Sequence, residues 1–65
     1  MNNELIEKLQ VEGKELSEKI DNLISFTNGE KFRDINHAQQ SLLKIQLQAM
    51  QTYEQCLTER LFWMM

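Results

Sequence analysis

The stretch SFTNGEKFRDINH, residues 25–37, decides how this chain folds. It contains the pair Asn28-Gly29, which readily takes the left-handed conformation that ends a helix. A few residues later, Asp34 or Asn36 offers a side chain that caps the first amides of a new helix. The stretch therefore predicts one helix before it and a second helix after it.

Both flanks of this stretch have the spacing of amphipathic helices, and the chain contains no proline. On the first flank, apolar residues recur at steps of seven, four and three: Leu9, Leu16, Ile20 and Leu23. We predict a single domain over residues 1–65, with helix 1 over about 3–27, a connection over about 28–36 and helix 2 over about 37–63. The predicted fold class is all-α, an antiparallel two-helix hairpin that assembles into a homo-oligomeric helical bundle.

Assembly is expected because the second helix carries two apolar stripes. The first stripe is Leu42, Ile45, Ala49, Tyr53 and Cys56, and the second is Leu43, Leu47, Met50, Leu57, Leu61 and Met64. Together they span roughly 200° of the helix, about twice what one neighbouring helix covers. A chain of this size also rarely gains more than ~3–5 kcal/mol from its own core.

We therefore predict that the second stripe and the adjoining aromatic residues meet another subunit. The predicted oligomer interface is Leu43, Leu47, Met50, Leu57, Leu61, Phe62, Trp63 and Met64. The stretch LFWMM at residues 61–65 has two other interpretations, a frayed end or an anchor on a membrane surface. A dimer is the default subunit number, and a tetramer or a hexamer stays open. On helix 1, Gly13 interrupts the apolar stripe and predicts the close approach of another backbone or of a ligand.

Several classes of function are excluded by composition. Cys56 is the only cysteine and His37 the only histidine, so we expect no disulfide within the chain, no metal site and no cofactor. His37 fits a structural position in the first turn of a helix, and Cys56 fits a thiol packed against other apolar side chains. Because no nucleophilic side chain is spaced beside a base, we expect that the protein is not an enzyme. A net charge of −3 without a basic block argues against duplex DNA as a partner. No window reaches the ~18 apolar residues of a membrane span, so we expect a cytoplasmic protein.

The strongest candidate for a binding site is the stretch EKFRDINH at residues 30–37. Lys31 and Arg33 flank Phe32, just before a helix whose first amides near His37 point outward. Cations, an aromatic face and a helix N-terminus are three parts of a phosphate or nucleotide site. The alternative is a solvated connection with Phe32 packed beneath it.

Three motifs, ELSEKIDNL at residues 15–23, KF at 31–32 and QLQAMQTY at 46–53, resemble a family of small phage proteins named after a crAss-like phage gene product. The further matching positions are Phe26, Leu42, Leu43, Leu57 and Arg60. The resemblance implies a phage origin, a helical hairpin and expression in the cytoplasm of a host bacterium. More distantly, proteins of this architecture resemble phage sponges, oligomers that sequester the cyclic oligonucleotide signals of CBASS immunity.

The chain lacks the proline-containing segment and the Met-Trp-Ala-Asn run of those sponges, so only their mode of action carries over. That mode implies a counter-defence homo-oligomer that holds a cyclic nucleotide signal at its subunit seams without catalysis. The side chains expected to line the site are Lys31, Phe32, Arg33, His37, Lys44, Tyr53 and Arg60. The alternative is a module whose Gln-rich helical surface docks on a host defence or regulatory protein.

Overall fold

The computed structural model describes residues 3–65, and the regular secondary structure in that range is all helical, with no strand. Helix α1 runs over Asn3–Thr27, α2 over Glu30–Asp34 and α3 over His37–Met64. The two long helices pack along each other, and α2 packs against α1. The molecule is a rod of 49 × 15 × 13 Å. The all-α prediction is confirmed, and none of the helices in residues 3–65 has a segment long and apolar enough to cross a membrane.

The end of α1 differs from the expected left-handed turn. Thr27 donates from Oγ1 to the Ile24 carbonyl at 3.0 Å, and the Gly29 amide donates to the Phe26 carbonyl at 3.0 Å. Gly29 is extended, with φ −91° and ψ 169°, and no residue in the described range has a positive φ. The left-handed prediction for Asn28-Gly29 is therefore wrong, because the chain leaves α1 extended and enters α2 at once.

The connection predicted over residues 28–36 contains α2, a helix that the sequence analysis did not identify. Asn36 caps the next helix by accepting a hydrogen bond at Oδ1 from the Gln39 amide at 2.8 Å, which confirms one of the two capping candidates. The Gln40 side chain donates from Nε2 to the carbonyls of Phe32, at 3.0 Å, and Ile35, at 2.9 Å. One amide thus satisfies two carbonyls that the end of α2 leaves without a helical partner.

The core is small and lies between α1 and α3. Its buried apolar side chains within residues 3–65 are Leu9, Ile20, Phe32 and Leu57. Leu57 is the most buried, with 1% of its surface exposed. Five further apolar residues of α3 are half-buried on the same face, Leu43, Leu47, Met50, Leu61 and Met64, and the half-buried Glu54 stands between Met50 and Leu57.

This burial corrects the predicted oligomer interface. The stripe that contains Leu57 was expected to meet another subunit, and instead it packs on the chain's own α1. The physical reason is that the long Leu and Met side chains of this stripe remove more apolar surface from water than the other stripe, which contains Ala49, Tyr53 and Cys56. Only Phe62 and Trp63 of the predicted interface stay exposed, at 71% and 82%.

Gly13 also differs from expectation. It is half-buried on α1, yet a Cβ placed on it would meet no neighbouring atom within 4 Å. The predicted close approach is therefore wrong within the described chain, and the residue leaves a small notch in the face of α1.

Candidate functional site

The structure brings part of the predicted ligand site together at the α2 end of the rod. Phe32 is buried, and its ring meets Phe26 edge-to-face with the centroids 6.1 Å apart. The Lys44 ammonium lies 5.8 Å from the centroid of the Phe32 ring, within the range of a cation–π contact. The Phe32 ring, which the sequence predicts as part of the ligand site, is thus buried beneath Lys44, and the Lys44 ammonium covers one of its faces.

Three further predicted residues lie near this ring and are exposed. Lys31 and Arg33 flank Phe32 on α2, and His37 is the first residue of α3. His37 and Lys44 are seven residues apart, so they share one face of α3 with about 10 Å between them along the axis. We call this set the α2 cluster: Lys31, Phe32, Arg33, His37 and Lys44. Within residues 3–65 the ion pair that forms is Glu4 with Lys8, so no cation of the α2 cluster is neutralised by a carboxylate.

The other two predicted ligand residues lie elsewhere. Arg60 is 16 residues beyond Lys44 on α3, roughly 24 Å along the helix axis. Tyr53 donates its hydroxyl to the Glu12 carboxylate of α1. That hydrogen bond raises the pKa of Tyr53, with smaller contributions from desolvation and from the negative charge of Glu12, while Arg60 acts in the opposite direction. A single chain therefore does not assemble all seven predicted side chains into one site.

The first apolar stripe of α3 is the surface that the fold leaves open. Leu42 and Ile45 are 57% and 62% exposed, and Ala49, Cys56 and Trp63 are exposed as well. We call these five residues the α3 strip. Cys56 was expected to be packed within the chain, and that expectation is wrong because the opposite stripe took the core. Over the second half of the strip, α3 side chains alone form a shallow, open surface, with Cys56, Arg60 and Trp63 among them.

The sequence itself contains a signal for this strip, which is a repeat of seven residues. Leu42, Ala49, Cys56 and Trp63 recur at intervals of seven residues. Each of them precedes a residue of the core stripe by one position, and so lies about 100° round the helix from it. A seven-residue repeat of this kind is typical of helices that pack along a partner helix.

The charges are partitioned between the helices. The six acidic residues of α1 are all exposed and outnumber its three lysines, so α1 carries 3 − 6 = −3, which equals the net charge of the chain. By the same count α2 has two acids and two bases, and α3 has two of each. Within the described range no group of His, Cys, Asp and Glu side chains is arranged to hold a metal ion.

Comparison with known protein families finds a match that covers most of the chain. A family model with the description Sequestin matches residues 3–62, which is nearly the whole described range. No curated protein and no solved structure matches the chain significantly. Since the family model covers far more than half of the chain, this helical protein belongs to the Sequestin family.

Proposed function

We propose that this protein sequesters a cyclic nucleotide or oligonucleotide signal of bacterial immunity, without catalysis and as an assembly of several copies. The family name Sequestin is consistent with a sequestering role, and stoichiometric capture needs no nucleophile or general base. A phage origin and action in the cytoplasm of the infected host belong to the same proposal. The folding unit is a helical hairpin, in which Glu12 near the start of α1 contacts Tyr53 in the second half of α3.

The observation that carries this proposal is the α2 cluster. Its cations are exposed and unpaired in a chain whose net charge is negative, and Lys44 is held over an aromatic ring. A cyclic nucleotide offers phosphates that such cations can bind. The Gln40 amide, bonded to two carbonyls of the same segment, holds the backbone of the cluster in place before a ligand arrives. Tyr53 and Arg60 contact the same ligand only where a second copy supplies them.

Thermal unfolding with a panel of cyclic di- and trinucleotides tests this proposal. A ligand at 100 times its Kd stabilises the folded state by about 2.7 kcal/mol. For a domain of this size that corresponds to a rise in Tm of about 10–20 °C. Lys44→Gln should reduce the rise, while Lys14→Gln, which removes an exposed charge from α1, should leave it unchanged. If no nucleotide moves the Tm, or if both variants respond alike, the cluster is not a nucleotide site.

A second candidate function is supported by the α3 strip. An exposed apolar surface with Ile45 and Trp63 suits an inhibitor that docks on a host defence protein by helix packing. Ile45→Glu separates the two functions in an infection assay with a defined defence system. Loss of protection with an intact nucleotide response in the melting assay favours docking on a protein. Unchanged protection by Ile45→Glu excludes docking through the strip and favours sequestration.

A further inference from the structure

We propose that the α3 strip is the seam between two copies of this chain, and that the two α3 helices run antiparallel across it with the two-fold axis between Ala49 and Cys56. The inference rests on the proposal that the protein acts as an assembly, and it identifies the surface that forms the assembly.

The exposed area of the chain indicates a missing partner. A folded monomer of 7.8 kDa is expected to expose about 4,400 Å². This chain exposes 5340 Å². The excess of about 900 Å² is close to the ~800 Å² that each partner contributes to a standard interface. Trp63 alone, at 82% exposure, leaves roughly 120–200 Å² of aromatic surface in water.

The distribution of charge indicates which face of the chain a second copy covers. The exposed side of α1 bears six acidic residues, so two such faces would repel each other. By contrast α3 carries no net charge, and four positions of its strip repeat every seven residues over roughly 32 Å. Apolar residues with this constant spacing on α3 can pack against the same repeat on the α3 helix of a second copy. We therefore infer that the partner that covers the α3 strip is a second copy of this chain.

Side-chain size and charge together select the antiparallel orientation. When the two-fold axis lies between Ala49 and Cys56, an antiparallel pair places Ala49 of one copy opposite Cys56 of the other. Both side chains are small, so the two helices can approach closely in the middle of the seam. At each end the bulky Trp63 covers the partner's Leu42. Arg60, which also lies within the strip, is then level with the partner's Ile45 and about 22 Å along the seam from the partner's Arg60. In a parallel pair the two Arg60 side chains would lie at the same level near the midline of the seam, which is unfavourable.

Disulfide trapping of the full chain tests both the seam and its orientation. Ala49→Cys leaves Cys56 in place, and the antiparallel seam brings the new thiol against the partner's Cys56. Diamide, which takes up the two electrons and two protons released by the thiols, should then give a covalent dimer on a non-reducing gel. The two cysteines of one chain are about 10 Å apart along α3, too far for a bond within the chain.

Three controls make the result specific. Cys56 alone, and Ala49→Cys combined with Cys56→Ser, should cross-link at least about tenfold more slowly, because each thiol then lies about 10 Å from its own counterpart. Thr58→Cys with Cys56 retained places the second thiol on the opposite side of α3 and should be equally slow. Rapid trapping through Cys56 alone would overturn the orientation, and equal rates for all variants would overturn the seam.

Sedimentation of the unmodified chain and of Ile45→Glu separates this inference from the proposed function. The seam predicts a dimer for the chain and a monomer that stays helical for the variant. If Ile45→Glu remains dimeric, the copies associate through another surface; the seam is then wrong, although sequestration by an assembly survives. If the unmodified chain is a monomer at every concentration and still responds to a nucleotide, both the seam and the assembly are wrong.

Discussion

Replacing two leucines of α3 in separate variants measures which of its faces forms the core. Leu57 is 1% exposed and Leu42 is 57% exposed, although both stand on the same helix and lose the same atoms when changed to alanine. Leu57→Ala should lower the free energy of unfolding by about 2–5 kcal/mol, because it removes buried methyl groups and leaves a cavity. Leu42→Ala should cost under about 1 kcal/mol in the isolated chain, since most of its side chain is already hydrated. The loss expected for Leu57→Ala approaches the whole free energy of unfolding that a core of this size provides.

Urea unfolding followed by circular dichroism gives both values, provided that each variant is measured at two protein concentrations. At the lower concentration the difference between the variants reports the core of the single chain. At the higher concentration Leu42→Ala should become more costly, because a second copy then covers that residue, while the cost of Leu57→Ala should not change. Equal losses for the two variants at low concentration would refute the assignment of the core stripe. A loss for Leu57→Ala that grows with concentration would return that stripe to the subunit interface.

Three further predictions follow from single residues. Gly13→Ala should raise the free energy of unfolding by about 0.5–1 kcal/mol in a chemical denaturation curve, because alanine favours the helix and its Cβ meets no atom within 4 Å. Asn36→Ala should lower it by about 1 kcal/mol through loss of the cap on α3, and Asn36→Asp, which keeps an acceptor oxygen, should retain most of the stability. Tyr53 should titrate above the ordinary tyrosine pKa of 10.0 in an ultraviolet absorbance titration, and Glu12→Gln should bring its pKa back toward that value. Because the folded-state pKa is raised, the stability that this hydrogen bond contributes is complete below pH 10.0 and is lost as the pH rises through the folded-state pKa.

The sequence was sufficient for the helices but not for the details of the connection. Long apolar periodicity and the absence of proline identify α1 and α3, since each helix has many turns over which the pattern repeats. The five residues of α2 are too few for any periodicity, and Asn28-Gly29 has the composition of a helix stop whatever conformation it takes. The bond from Gln40 back to the end of α2 joins residues eight positions apart through a flexible side chain, and no sequence spacing signals it.

The prediction of which α3 stripe meets another subunit is wrong for a different reason. The sequence spacing identifies both apolar stripes, but it does not indicate which of them packs on α1. The choice depends on which set of side chains fills the groove beside α1, and Leu57 fills it where Cys56 would leave space. Of the predicted ligand residues, those near Phe32 share one end of the rod because they are close in sequence. Tyr53 and Arg60 do not join them, because α3 is straight and its length separates its two halves.

The positions of the two surfaces on α3 determine how assembly and ligand capture combine. Lys44 and Ala49 are five residues apart, about 140° round the helix, so a second copy on the α3 strip leaves the α2 cluster uncovered. In the proposed antiparallel dimer the two α2 clusters would lie at opposite ends and would act as separate sites. Calorimetric titration should then give one nucleotide per chain. A ratio of one nucleotide per two chains would mean that a ligand bridges two copies, and would place Tyr53 or Arg60 of one copy beside the α2 cluster of another.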